Sequence, residues 1–109
     1  MFEYEIMLGL NDKDTHKQEF DTDFVIDIVG RWFNSCTIQK CIGFYKGERE
    51  NSLKITVYTE KSLEYMKYQV GTFGLTFNQE CVILKDCFLD ETFFINPADY
   101  GAYSPIKTA

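Results

Sequence analysis

Phe2-Glu3-Tyr4-Glu5-Ile6-Met7-Leu8-Gly9-Leu10 alternates apolar and other residues, and Asn11-Asp12-Lys13-Asp14-Thr15 follows it directly. The first stretch has the period of two expected of a strand with one buried face. Phe2, Tyr4, Ile6, Leu8 and Leu10 lie on that face, with Glu3, Glu5, Met7 and Gly9 on the other. The second stretch is a dense polar loop just past a strand, a common place for a scaffold to present a site.

Outward from this strand the pattern changes period. Asp21 or Thr22 can cap a helix running to about Phe33, with Phe24, Val25, Ile28 and Trp32 as its apolar stripe. Asp27 and Arg31 form an i,i+4 pair in the favourable order. Residues 37–46 and 52–59 read as a hairpin around a five-residue polar turn, Gly47-Glu48-Arg49-Glu50-Asn51. A second helix is expected from about Ser62, because Leu63, Met66, Val70 and Phe73 recur three or four residues apart. Residues 80–89 read as a last core strand, interrupted by Asp90-Glu91 before Thr92-Phe93-Phe94-Ile95.

The order β-α-β-β-α-β predicts an α+β fold, the ferredoxin-like split sandwich with two helices on one face of an antiparallel four-stranded sheet. One domain over residues 1–95 is expected. Residues 96–109 form a C-terminal tail, loose or folded back through Tyr100 and Tyr103.

Composition narrows the function classes. The chain has 109 residues, 45 % hydrophobic and 17 % aromatic, which suits one domain with its own core. A net charge of −6 argues against wrapping nucleic acid, whose affinity comes from Lys and Arg. The sequence shows neither a membrane-length apolar run nor a basic, apolar leader, so a cytoplasmic protein is expected. Cys36, Cys41, Cys81 and Cys87 miss the spacing of zinc knuckles and read as structural thiols.

The expected topology sends three polar connections to one end of the sheet: loop 11–20, turn 47–51, and Thr76-Phe77-Asn78-Gln79-Glu80. Candidate ligand-binding residues there are Asn11, Asp12, Lys13, Asp14, Arg49, Glu50, Asn78, Gln79 and Glu80. A small polar or anionic ligand, a nucleotide among them, could use the first helix's N-terminus, Lys13 and Arg49, with Asn11, Asn78 and Gln79 reading its edges. A divalent cation is a second possibility, since Asp12, Asp14 and Glu80 could support metal-assisted hydrolysis; otherwise no cofactor is expected. A solvated rim of capping and mutually paired side chains is the plain alternative. His16 is the lone histidine, and no nucleophile motif accompanies it, so catalysis has thin support.

The sheet face away from the helices should carry Met7, Cys41, Tyr45, Thr56, Tyr58 and Ile83 among Glu3 and Glu5. Such an apolar patch predicts self-association as a homodimer. Acidity also fits a protein that inhibits a basic host partner.

Three segments carry a resemblance: Leu8-Gly9-Leu10-Asn11-Asp12-Lys13-Asp14, Gly43-Phe44-Tyr45 with Glu50-Asn51-Ser52, and Phe77-Asn78-Gln79-Glu80-Cys81-Val82. Together they resemble an uncharacterised family of small bacterial and bacteriophage domains with GLxxKD and FxQESV-type motifs. Cys81 stands where that pattern has Ser. The resemblance implies the same fold and a phage or mobile-element origin, with an accessory or anti-defence role.

Overall fold

The computed structural model describes residues 1–103. Strand β1 (Phe2–Gly9) buries Tyr4, Ile6 and Leu8 and turns Glu3, Glu5, Met7 and Gly9 the other way. Helix α1 (Thr22–Trp32) begins at Asp21, whose side chain accepts from Asp23 N at 3.2 Å. This N-cap satisfies one of the orphan N–H groups of the first turn. The buried face of α1 centres on Val25 and Val29, with Ile28 and Trp32 packed at its margin. Phe24, expected in the stripe, lies outside it and is exposed, stacked on Phe20.

The hairpin is tighter than the sequence suggests. Strands β2 (Cys36–Tyr45) and β3 (Glu48–Thr59) are joined by Lys46 and Gly47 alone, both with positive φ (50° and 81°). Two residues of that backbone hand follow the right-handed twist of the flanking strands, so pairing continues up to Tyr45↔Glu48. The polar run Glu48–Asn51 is therefore strand rather than turn, and its side chains alternate between the two faces.

Helix α2 (Leu63–Thr76) starts at Ser62, whose hydroxyl accepts from Tyr65 N, and buries Met66, Val70 and Phe73. It ends in a left-handed cap. Asn78 has φ 50°, Asn78 N donates to Leu75 O, and Gln79 N donates to Gly74 O at 2.8 Å. That pair of bonds is the Schellman arrangement, with Asn in the place more often held by Gly.

Strand β4 (Val82–Asp86) ends at a turn capped by Asp86, whose Oδ1 accepts from Phe88 N and Leu89 N. The chain then reverses into β5 (Glu91–Ile95), which pairs antiparallel with β4. The sheet thus has five strands in the order β2-β3-β1-β4-β5, all antiparallel, and not the expected four. Its first four strands keep the order of the split sandwich; the run read as the end of one strand is a fifth, edge strand.

Both helices add to one core with the buried faces of β1, β3 and β4. A 3₁₀ helix (Pro97–Tyr103) covers α2, where Gly71 and Gly74 leave room for Tyr100 and Pro97. The first part of the tail is thus folded back. The remainder of the expected tail, residues 104–109, lies outside the described residues.

Candidate functional site

The helices cover one face of the sheet and leave the other open. Because Leu53, Ile55 and Val57 face the core, their neighbours Glu48, Glu50, Ser52, Lys54, Thr56 and Tyr58 lie on the open face. The pairing places Met7, Cys41, Tyr45 and Ile83 on that face too.

At one end of this face lies a cleft of about 350 Å³, within the range of small-ligand sites. Two glycines in the strands that flank β3 on either side make its floor. Gly9 of β1 pairs with Ser52, and Gly43 of β2 pairs with Glu50. A Cβ on Gly9 would sit 2.6 Å from Glu50 Cδ, and one on Gly43 would sit 2.7 Å from Ser52 Oγ. The missing side chain at Gly9 lets the Glu50 carboxylate fold across β1, and that at Gly43 leaves room for the Ser52 hydroxyl. Met7, Ile83 and Phe94 form an apolar wall, and Tyr45 stands on the far side of β3 from them.

The rim is built by the three polar connections, which meet at this end. Asn11 is gripped on both sides of its peptide unit: Asn11 N donates to Glu50 Oε1 at 3.0 Å, and Gln79 Nε2 donates to Asn11 O at 2.8 Å. Asp12 Oδ1 accepts from Asp14 N and Thr15 N, and its Oδ2 accepts from Asn78 Nδ2 at 2.9 Å. The Asn78 bond, then the backbone N–H groups, hold the Asp12 carboxyl below the usual carboxylate range.

The charges on the rim are mostly paired. Lys46 Nζ meets Glu80 Oε1 at 2.9 Å, and His16 Nδ1 lies 2.8 Å from Glu48 Oε1. The Lys46 hydrogen bond lowers the Glu80 pKa, and the same contact raises that of Lys46. Two charges stand apart. Half-buried Glu50 has the Asn11 N–H as its hydrogen-bond partner and, among the described residues, no cationic side chain in ion-pair contact. Lys13, on the same rim, likewise lacks an ion-pair partner among the described residues.

Of the candidates read from sequence, Asn11, Asp12, Lys13, Glu50, Gln79 and Glu80 line the cleft. Asp14, Arg49 and Asn78 lie outside its lining. Arg49 alternates with Glu50 and pairs with Phe44 on the other side of β3. Asp14 accepts from Asn78 Nδ2 at 2.9 Å. The N-terminus of α1 is also outside the lining, closed by its own Asp21 cap. Sequence reading missed Gly9, Gly43 and the cleft-forming roles of Met7, Tyr45, Ser52, Ile83 and Phe94. A glycine at an open-face position in each of the two strands flanking β3 is the available signal, and it needs the register to be seen.

The donor set proposed for a metal does not converge: Glu80 points to Lys46, while Asp12 and Asp14 share the Asn78 amide. Oxygen and sulfur donors of Glu3, Glu5 and Cys87 approach within 4.8 Å of one another on the same face, away from the cleft. Cys36, Cys41, Cys81 and Cys87 are all free thiols. Burial pushes up the thiols of Cys36, Cys81 and Cys87, which keeps them protonated and poor nucleophiles. Among the described residues no helix is long and apolar enough to cross a membrane.

These features define a class: a two-layer α+β domain with a ligand-sized cleft on its uncovered sheet face. A solved structure of a phage SAM lyase in the apo state is similar to this chain, with a TM-score of 0.63 and 23 % identity, covering 87 % of this chain and 88 % of the other. At that identity the likeness shows the shared fold. No family model and no curated sequence matches the chain.

Proposed function

We propose that the open-face cleft binds S-adenosylmethionine, and that the chain is a phage accessory protein that withdraws this methyl donor from its host. The reading rests first on Glu50. A half-buried carboxylate with a single N–H donor keeps acceptor capacity for a cationic ligand group. Of the other carboxylates lining the cleft, Glu80 pairs with Lys46, Glu48 meets His16 and Asp12 accepts from Asn78 and two backbone N–H groups, whereas Glu50 has one N–H donor and stands at the cleft floor.

S-adenosylmethionine has complementary chemistry. Its sulfonium and ammonium are positive, matching Glu50. Its carboxylate is negative, matching Lys13. Its adenine is flat, matching the apolar and aromatic walls formed by Met7, Ile83, Phe94 and Tyr45. Gln79 and Asn11 add amide groups able to read polar edges. The ligand is thus a polar nucleoside with a net positive charge, which keeps the polar part of the expected polar or anionic ligand and departs from the anionic part. The fold likeness to a phage SAM lyase supports both the ligand and the phage origin.

Cleavage of the ligand is the activity that this reading puts to test. In cleavage of the sulfonium without water, the breaking carbon–sulfur bond leaves its electron pair on sulfur, which departs as a neutral thioether, while the ligand's own carboxylate oxygen forms the new bond to that carbon and closes a lactone. The positive charge that Glu50 attracts is therefore largest in the bound ground state. Glu50 should act mainly on binding, because only interactions that strengthen in the transition state raise the turnover rate.

Isothermal titration with S-adenosylmethionine, beside mass spectrometry of the incubated mixture, tests the proposal. Saturable heat is expected, with weaker binding of S-adenosylhomocysteine, whose sulfur is neutral. Loss of the ligand with release of a thioether nucleoside would establish cleavage. Absence of heat at protein concentrations well above micromolar would overturn the reading.

A further inference from the structure

We propose that Asn78 is a positioning residue: it lies outside the cleft and sets the place of Lys13, and through Lys13 the cleft's grip on a ligand carboxylate. The inference rests on the S-adenosylmethionine reading for its ligand, and on the contacts of loop 11–20 for its geometry.

The geometry begins in α2. Its Schellman ending forces Asn78 into the left-handed region, with φ 50°, and fixes its backbone through Asn78 N to Leu75 O at 3.1 Å. From that fixed base the residue reaches loop 11–20 with three bonds. Lys13 N donates to Asn78 O at 3.0 Å. Asn78 Nδ2 donates to Asp12 Oδ2 and to Asp14 Oδ2, both at 2.9 Å. Lys13 is therefore held at its own amide and on both sides in sequence.

One amide nitrogen between two carboxylates does more than bridge them. Asp12 and Asp14 would repel one another and splay the loop if nothing donated to both. The primary amide has two N–H donors, one for each carboxylate. Lys13 sits between these residues and lines the cleft, while Asn78 does not. The rest of the loop is tied internally by Asp12 N to Lys17 O and His16 N to Asp12 O, so a shift at Asp12 carries the loop with it. Asn78 also carries no charge of its own, so its effect on a charged ligand must pass through the loop.

Two variants separate the possible roles. Asn78→Gly keeps the left-handed backbone and the Lys13 N bond but removes both side-chain bonds. Asn78→Asp places a third carboxylate beside Asp12 and Asp14. Affinity for S-adenosylmethionine is compared with affinity for its decarboxylated analogue, and amide hydrogen exchange at Lys13 and His16 is followed without ligand. Expected are a loss of about tenfold for the full ligand in Asn78→Asp, a smaller loss in Asn78→Gly, and little change for the decarboxylated analogue in either. Exchange at Lys13 and His16 should quicken in both variants. Equal losses for the two ligands, or unchanged exchange, would overturn the positioning role. Wild-type protein that binds neither ligand while exchange quickens in the variants would sink the ligand reading and leave the loop-holding role of Asn78 standing.

Discussion

Gly9 and Glu50 occupy neighbouring strands, and the Glu50 carboxylate lies where a side chain on residue 9 would stand: a Cβ there would fall 2.8 Å from Glu50 Oε2. Two strand residues thus share one volume, and the absence of one side chain gives the other its place. The carboxylate then meets the Asn11 N–H, which belongs to the loop leaving β1. Strand, neighbouring strand and loop are coupled through this single group.

Replacing Gly9 by Ala should displace the Glu50 carboxylate, since its neighbour there is the far end of a flexible side chain. The fold should survive with a small loss of stability, while affinity for S-adenosylmethionine falls. Glu50→Gln keeps the shape and the acceptor for Asn11 N but removes the charge. Hydrogen bonds and contacts involving a charge are worth about 1.5–3 kcal/mol, so the loss should be about tenfold or more for the sulfonium ligand. Titration of both variants against S-adenosylmethionine and S-adenosylhomocysteine checks this; equal losses for the two ligands would argue against a cation beside Glu50.

The contrast with Gly74 is instructive for stability. A Cβ at Gly74 would lie 3.1 Å from Val82 Cγ2 and from Pro97 Cβ, inside the packing between α2, β4 and the 3₁₀ helix. Those atoms belong to a strand and a ring with little freedom to yield. Gly74→Ala should therefore cost about 1–3 kcal/mol by overpacking. A thermal or denaturant melt measures it, and ligand affinity should be preserved at temperatures where the variant is folded.

Much of this architecture is legible in the sequence, and the misses have physical causes. The alternation in β1 and the cap at Asp21 are strong local signals, and both elements form where the pattern places them. The sequence suggests a five-residue hairpin turn because Glu48-Arg49-Glu50-Asn51 is polar throughout. Polarity there marks strand ends with little cover, not a loop, and the turn is the Lys46-Gly47 pair. That shift has a consequence for the site, because alternation then separates Arg49 from Glu50. In α1 the expected stripe of Phe24, Val25, Ile28 and Trp32 is rotated from the face that meets the sheet, which centres on Val25 and Val29 and leaves Phe24 exposed. The fifth strand is short, and an acidic Asp90-Glu91 break could equally have been an interruption or a reversal. The cleft itself depends on Gly9 and Gly43 standing on one face, a fact of pairing that no single segment contains.

Acid should loosen the rim before the core. Asp12 is held below the usual carboxylate range, first by the Asn78 amide and then by the N–H groups of Asp14 and Thr15. A carboxyl lowered in the folded state contributes stability above its unfolded value, near 4. That contribution is lost as pH falls through the lower, folded value. Glu80 behaves in the same sense through Lys46. Nuclear magnetic resonance titration should show Asp12 ionised at a pH where an ordinary Asp is half protonated. Asp12→Asn should flatten the dependence of the melting temperature on pH below about 4; an unchanged slope would argue against this linkage.

The Lys46-Gly47 turn gives a last test, because it sets the register on which Glu50 depends. Gly47 has φ 81° with open space around its α-carbon. Any cost of a side chain there is therefore backbone strain and not collision. Gly47→Ala should destabilise the fold by about 1–2 kcal/mol. Gly47→Asn should cost less, because Asn tolerates the left-handed region. If Tyr45↔Glu48 pairing persists, Glu50 stays opposite Gly43, and ligand affinity should follow neither variant's loss of stability. A fall in affinity together with stability would instead mean that the turn and the cleft floor move as one unit. Denaturant melts and titrations on both variants distinguish these outcomes.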